Sequence, residues 1–146
     1  MLKYQKYFLV EPQTNLVLPE YRGKPTYTKE SGITRVVDLS SKVIENAACS
    51  IGTTWIWPKS DITDKISVQA HIHPFVEVLG FFGTNPDDDH DLCGEVEIWI
   101  EDEKYIMTRS FMVYIPPGIK HCPLIVRRVE RPIFHFGVVP SNEEYV

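Results

Sequence analysis

From Cys49 onward the chain is a series of short apolar runs, each stopped by proline, glycine or a polar turn. That punctuation constrains the fold more than any other feature. CSIGTTWIW stops at Pro58, KISVQAHIH at Pro74 and FVEVLGFFG at Gly83, before the polar loop TNPDDDHDLCG. Gly94–Glu95 reads as the turn into EVEIWI; the turn EDEK, KYIMT, SFMVYI, PLIVRRV and PIFHFGVV follow. These runs are rich in Val, Ile, Phe, Tyr and Trp, and some alternate, as Val96, Ile98 and Ile100 do against Glu95, Glu97 and Glu101. Side chains two apart on a strand share a face, so alternation of this kind marks half-buried strands. Short strands with frequent turn signals predict an all-β sandwich or barrel. The 11 prolines agree, because they separate the runs instead of interrupting helical patterns.

The 146 residues fit one domain, residues 1–146, with room for a sizeable core. Within it, a barrel is expected from about Cys49 to Val139, preceded by an N-terminal extension over residues 1–45. The extension holds the apolar segments YFLV and NLVL, then EYRGKPTYTKESG, which reads as loop, and SSKVIENA, which permits a short helical turn. Its apolar segments are expected to cover a sheet edge of their own or a neighbouring barrel, and a homodimer is expected on that ground.

Bulk properties narrow the function classes. Hydrophobic residues make up 43% and charged residues 24%, ordinary for a globular protein. The net charge of −5 comes without a basic block, which argues against nucleic acid as a partner. No apolar run approaches the roughly 20 residues that span a bilayer. The opening MLKYQKYFLV is too short and too polar for a signal peptide. Cys49, Cys93 and Cys122 are odd in number and scattered, which favours a reducing compartment. The expectation is a cytoplasmic protein with no membrane partner. GxSxG, P-loop and GxGxxG patterns are absent, so serine hydrolysis and nucleotide binding have no support.

The stretch HIHPFVE, residues 71–77, is where chemistry enters. On a strand, His71 and His73 project from one face and can converge on one ion. Glu77 would lie roughly 13 Å beyond His73 on a straight strand, far outside metal-bond lengths of about 2.0–2.2 Å. A reversal at Pro74 brings it back on the neighbouring strand, giving two imidazoles and one carboxylate. Alone, an HxH pair is more readily two polar residues on a half-exposed strand. The second motif, PPGIKH at residues 116–121, changes the balance: its prolines and glycine form a rigid turn, and His121 opens the next strand.

HxHxxxE followed by PxGxxH resembles the paired motifs of the cupin superfamily, small β-barrels of the jelly-roll type. The resemblance covers residues 71–121 and implies that His71, His73, Glu77 and His121 hold one divalent metal inside the barrel. The family pattern usually has glycine where this chain has Lys65 and Ser110, and asparagine where it has Ile125. Gly83 comes one residue early, and the loop between the motifs is longer than in the most compact members. Such a ligand set suits Fe, Mn, Ni, Co or Zn and leaves two positions of a six-coordinate ion for water, oxygen or a small organic substrate. The resemblance implies a metal-dependent dioxygenase, decarboxylase, isomerase or lyase; the alternative is a non-catalytic cupin that binds a small ligand as sensor or carrier.

Further residues complete the candidate site. His135, in IFHFG, can line the same cavity as acid, base or substrate contact, although a buried histidine satisfied by backbone is the commoner case. Tyr114, two residues before the second motif, packs by default but has a hydroxyl that could reach the pocket. Trp55, Trp57 and Trp99 read as aromatic core, one of them able to wall the cavity. Cys122 follows a proposed ligand directly and is expected to face away from the metal. NPDDDHD matches no EF-hand spacing and reads as a solvated loop or a rim over the barrel mouth.

Overall fold

The computed structural model describes residues 2–58 and 67–141. Nine strands follow in order: β1 (Ile33–Leu39), β2 (Ser50–Ile56), β3 (Ser67–Val68), β4 (Glu77–Phe82), β5 (Asp91–Ile100), β6 (Glu103–Arg109), β7 (Phe111–Ile115), β8 (His121–Val129) and β9 (Ile133–Val139). They form two antiparallel sheets, β1-β2-β9-β4-β7 and β3-β8-β5-β6. From β4 onward the chain repeatedly crosses between sheets, so a strand's neighbour in space is often not its neighbour in sequence. The all-β expectation holds. The sheets are not closed into a barrel, however: loops, not ladder hydrogen bonds, carry the chain from one to the other.

Alternation builds the interior. On β4, Glu77, Leu79 and Phe81 point inward and are buried, while Phe82 is exposed. Leu79, Phe81, Ile56, Ile115 and Ile133 from the first sheet meet Leu92, Val96, Ile98, Leu124 and Val126 from the second in one apolar cluster. Alternation places Gly80 on the outer face, under the Phe136 ring, and a Cβ there would sit 2.3 Å from that ring.

Several sequence expectations need correction. ITRVVDL, within the segment read as extension, forms β1 and pairs with β2 at the sheet edge. Its β-branched residues carry strand propensity that the surrounding turn residues masked. Gly94–Glu95 is no turn; both lie inside β5, paired with Val129 and Arg128. Of KISVQAHIH, Lys65 and Ile66 lie outside the described residues. Its strand shrinks to Ser67–Val68, with an isolated bridge from His71 to His121. EYRGKPTYTKESG contains two single 3-10 turns, Glu20–Arg22 and Lys29–Ser31. Trp55 and Trp57 sit together at 6.0 Å and are only partly buried, as is Trp99, whose indole donates to Glu97. None of the three belongs to the core cluster. Cys49, Cys93 and Cys122 are free thiols. Among the described residues no helix is long and apolar enough to cross a membrane.

Candidate metal centre

His71, His73, Glu77 and His121 come together, with one donor atom of each within 4.8 Å of the others. Three backbone features assemble them. The chain bends at Pro74–Phe75, so Glu77 opens β4 directly after the histidine pair. His71 and His121 exchange backbone hydrogen bonds of 3.0 and 3.1 Å. Gly118, in the turn of the second motif, donates its N–H to the carbonyl of His73 at 2.9 Å. The two motifs are thus stitched together by main-chain bonds.

Each histidine is held in the same orientation. Nδ1 of His71 donates to Gln69 O at 2.7 Å, that of His73 to Phe75 O at 2.9 Å, and that of His121 to Ile119 O at 2.8 Å. A carbonyl only accepts, so these contacts put the proton on Nδ1 and leave the Nε2 lone pairs to converge. Stacking fixes the ring planes: Tyr21 lies on His71 at 3.8 Å and Phe75 on His73 at 4.2 Å. His73 Nε2 and His121 Nε2 lie 3.7 and 3.9 Å from the Glu77 carboxylate. Those distances are too long for hydrogen bonds but lie within the roughly 4.2 Å that two donors with bonds of about 2.1 Å to one ion would span at most. Among the described residues, four buried side-chain polar atoms lack a hydrogen-bond partner: Tyr21 Oη, His73 Nε2, Glu77 Oε2 and His121 Nε2. All four belong to this one site. Nitrogen and carboxylate donors, deprotonated and aimed inward, are what a divalent transition metal requires.

Electrostatics favour the metal-binding form of His71, His121 and Glu77, while His73 departs. Burial holds His71 and His121 below the ordinary imidazole range, so both are neutral near pH 7. Burial also pulls His73 down, but Glu77 beside it more than reverses this. Burial raises Glu77, and His73, Arg22 and His121 outweigh it, so the carboxyl ends below its usual range.

A small space of about 20 Å³, the volume of one water or one ion, is bounded by His71, Glu77, Tyr21, Cys122 and His135. It adjoins a cavity of about 350 Å³ between the Gln13–Arg22 segment and the inner face of β1, β2 and β9. Arg22 and His135 line both spaces and so mark where they meet. The larger cavity also holds an ion pair, Arg35 to Asp38 at 2.8 Å, that is almost wholly buried.

His135 is satisfied by backbone, the commoner of the two cases the sequence allowed, and it also lines the cavity. Its Nδ1 donates to Gly80 O at 2.8 Å, and its ring stacks on Phe81 at 4.1 Å. Burial pushes its pKa down to about 4. Tyr114 is not brought to the site: alternation on β7 turns Ile115 inward and leaves Tyr114 exposed on the outer face. Cys122 corrects the other expectation, because it is buried and borders the same small space as Glu77. The reason is a break in alternation. Ile98 pairs with Leu124 but Ile100 with His121, so β8 carries an extra residue there, and Cys122 has φ of 71°. Burial raises its thiol to about 12, and among the described residues it is not in the group whose donor atoms converge. Asp87, Asp88, Asp89 and His90 form an exposed loop whose backbone is turned by Asn85 and Asp88 side chains.

Sequence reasoning missed Tyr21 and Arg22, which a single 3-10 turn delivers to the site from 50 residues away. That turn is tied down where the Gln69 N–H donates to Tyr21 O at 2.9 Å. It also missed the Arg35–Asp38 pair, which sits in the strand read as extension.

No family model matches this chain, and no curated protein does. Solved structures do. An RmlC-like cupin from Shewanella frigidimarina is 15% identical over 93% of this chain and 99% of its own, with a TM-score of 0.50. The polyketide cyclase RemF from Streptomyces resistomycificus is 14% identical over 82% of this chain and 70% of its own, at 0.50. AerE from Microcystis aeruginosa is 13% identical over 94% of this chain and 48% of its own, also at 0.50. The chain has the all-β fold of a cupin, and its His-His-Glu-His group can hold a metal ion.

Proposed function

We propose that the protein is a metal-dependent enzyme acting on a small organic molecule, with His71, His73, Glu77 and His121 holding one divalent ion. The observation that carries this is the shared orientation of the three imidazoles. Each has a donor atom within 4.8 Å of the others and of Glu77, and Nε2 of His73 and of His121 faces the Glu77 carboxylate beyond hydrogen-bond reach. A bound divalent ion would supply Lewis acidity toward an oxygen-bearing ligand and, if iron, the capacity to activate oxygen.

The chain's own residues do the rest. The 350 Å³ cavity lies in the size range of small-molecule sites, and a ligand there would sit between the Leu16–Pro19 segment and the sheet. Arg22, at the junction of the two spaces, brings positive charge to a ligand's acidic oxygen. His135, with its proton on Nδ1, keeps Nε2 as the atom free to accept a hydrogen bond from a hydroxyl in the cavity. Being neutral at pH 7, it orients such a group without adding charge. The alternative, a cupin that binds a small ligand without turnover, draws on the same cavity.

Elemental analysis of protein purified without chelator is the first test, followed by a screen of hydroxy acids, keto acids, sugars and aromatic diols with and without oxygen. Stoichiometric metal with turnover supports the enzyme. Oxygen-dependent turnover with iron selects a dioxygenase, and oxygen-independent turnover selects a decarboxylase, isomerase or lyase. Ligand binding without turnover selects the binder. A His121→Ala protein that kept full metal content and full turnover would overturn the metal reading.

A further inference from the structure

The larger cavity carries more charge than the metal end uses. Among the described residues its charged lining is Arg22, Arg35 and Lys42 against the single acid Asp38, an excess of two positive charges in a chain of net charge −5. Low-dielectric walls focus such an excess on whatever enters, so an anion is favoured there and a cation is not. Much of the remaining wall is apolar, from residues 16–19 and from Leu39, Val43 and Ile51.

Arg35 is the built part of this wall. Its Nε and Nη2 donate to the two carboxylate oxygens of Asp38 at 3.4 and 2.8 Å, and the two side chains are only 9% and 8% exposed. A pair so buried often stabilises no more than apolar residues of similar volume, so its place in an apolar cavity calls for a use. The two bonds fix the guanidinium plane and leave its Nη1–Nη2 edge to match a second planar carboxylate. The sheet is shaped around the pair. Gly52 and Gly137 are partners on β2 and β9 and both line the cavity, so its floor lacks side chains there. A Cβ on Gly52 would meet Arg35 Nη2 at 2.9 Å and Asp38 Oδ1 at 3.2 Å. Glycine inside a strand often marks such a close approach. Two residues away, Arg35, Thr54 and His135 lie abreast on β1, β2 and β9. This row leads from the ion pair to the junction with the metal end, over about 10 Å of backbone spacing between Arg35 and His135.

We propose that the ligand is an organic acid with an apolar body, its carboxylate on Arg35 and its reacting end at His135 and Arg22. Asp38 is then a positioning residue for the guanidinium, and the body lies over Gly52 and Gly137. This deepens the reading of the metal centre and rests on it only for which end reacts. A volume of about 350 Å³ holds roughly a dozen water-sized groups, which sets the size of the acid.

Isothermal titration calorimetry at pH 7 with octanoate and its neutral counterpart octanamide tests this. Wild type is expected to bind octanoate about 10-fold more tightly, the margin of a hydrogen-bonded charge over a neutral group. Arg35→Met with Asp38→Leu removes the whole pair and strands no charge, so far-UV circular dichroism should be unchanged. In that variant octanamide should still bind and the preference for octanoate should vanish. His121→Ala should keep the preference, because Arg35 and not the ion carries it. Loss in His121→Ala with retention in the double variant places the carboxylate on the metal, which overturns this proposal and leaves the metal reading standing. A wild type that binds neither probe, or an equal preference in wild type and double variant, overturns it as well. A preference that depends on Arg35 in a protein holding no metal supports the acid site and overturns the metal reading alone.

Discussion

Metal addition should raise the melting temperature of the wild-type protein and leave that of His121→Ala nearly unchanged. A ligand that binds only the folded state stabilises it by about 2.7 kcal/mol at 100 times its Kd. For a domain of this size each kcal/mol moves the midpoint by about 3 °C, so a rise of about 8 °C is expected. His121 is fully buried, and its ring makes one of the converging contacts. Losing a ligand costs at least the roughly 100-fold at the top of the range for losing a group that merely orients one. At the same metal concentration the variant then gains only about 0.4 kcal/mol, or about 1 °C. The alanine also removes the Nδ1 bond to Ile119 O and leaves a cavity, which costs about 2–4 kcal/mol and lowers the metal-free midpoint. The two effects separate in one experiment: differential scanning calorimetry of both proteins, stripped with chelator and then supplied with Mn, Fe, Co, Ni or Zn in turn. Metal affinity should also fall with acid, because three imidazoles must be unprotonated to bind. If no metal moves the wild-type midpoint, or His121→Ala shifts as far as wild type, the four residues are not a metal site.

Other expectations concern the surroundings. His135 has a folded pKa of about 4 against about 6.5 unfolded, so the unfolded chain takes up the proton first as pH falls. Stability from its neutral form is complete above about pH 6.5 and lost by about pH 4, costing about 2–3 kcal/mol after allowance for its contact with the cavity. Urea midpoints from pH 7 to 4.5 should therefore fall less steeply in His135→Phe, and equal slopes would refute this. Arg35→Ala strands the buried Asp38 carboxylate and should cost about 3–5 kcal/mol, much of it recovered in Arg35→Met with Asp38→Leu. Gly80→Ala drives a Cβ into the Phe136 ring and should cost about 1–3 kcal/mol in urea unfolding, with a change in near-UV circular dichroism as the ring moves.

The legible part of the fold was whatever depended on neighbours in sequence. Pro58 and Gly83 follow the ends of β2 and β4 as expected. The run before Pro74, however, stops as a strand at Val68, and His71 and His73 are held by an isolated bridge and loop bonds instead of by strand period. His121 came with its own rigid turn. The segment Ile33–Leu39 was missed as a strand because its partner, β2, supplies the pairing energy and single-sequence propensity does not see it. Tyr21 and Arg22 carried no signal at all: their role depends on a tertiary contact at Gln69. Tyr114 and Cys122 were misplaced for opposite reasons. Tyr114 obeys alternation and therefore points away. Cys122 sits on a bulge and a left-handed φ, where alternation fails and two consecutive residues both face the interior.

That bulge connects the fold to the chemistry. A regular β8 would bury His121 and turn the next side chain outward, leaving the wall beside Glu77 incomplete. The extra residue turns the Cys122 thiol inward instead, where it closes the wall, and burial raises its pKa to about 12. Tyr21 closes another side by stacking on His71. The enclosure has an energetic consequence. An unsatisfied buried polar atom costs about 1–3 kcal/mol, and the four at this site together rival the about 5–15 kcal/mol that holds a domain folded. A chain that only needed to fold would do better with apolar residues at these positions. Three of those atoms are donors of the proposed ligand set, so a bound ion removes most of the cost, and the metal-induced rise in melting temperature measures how much.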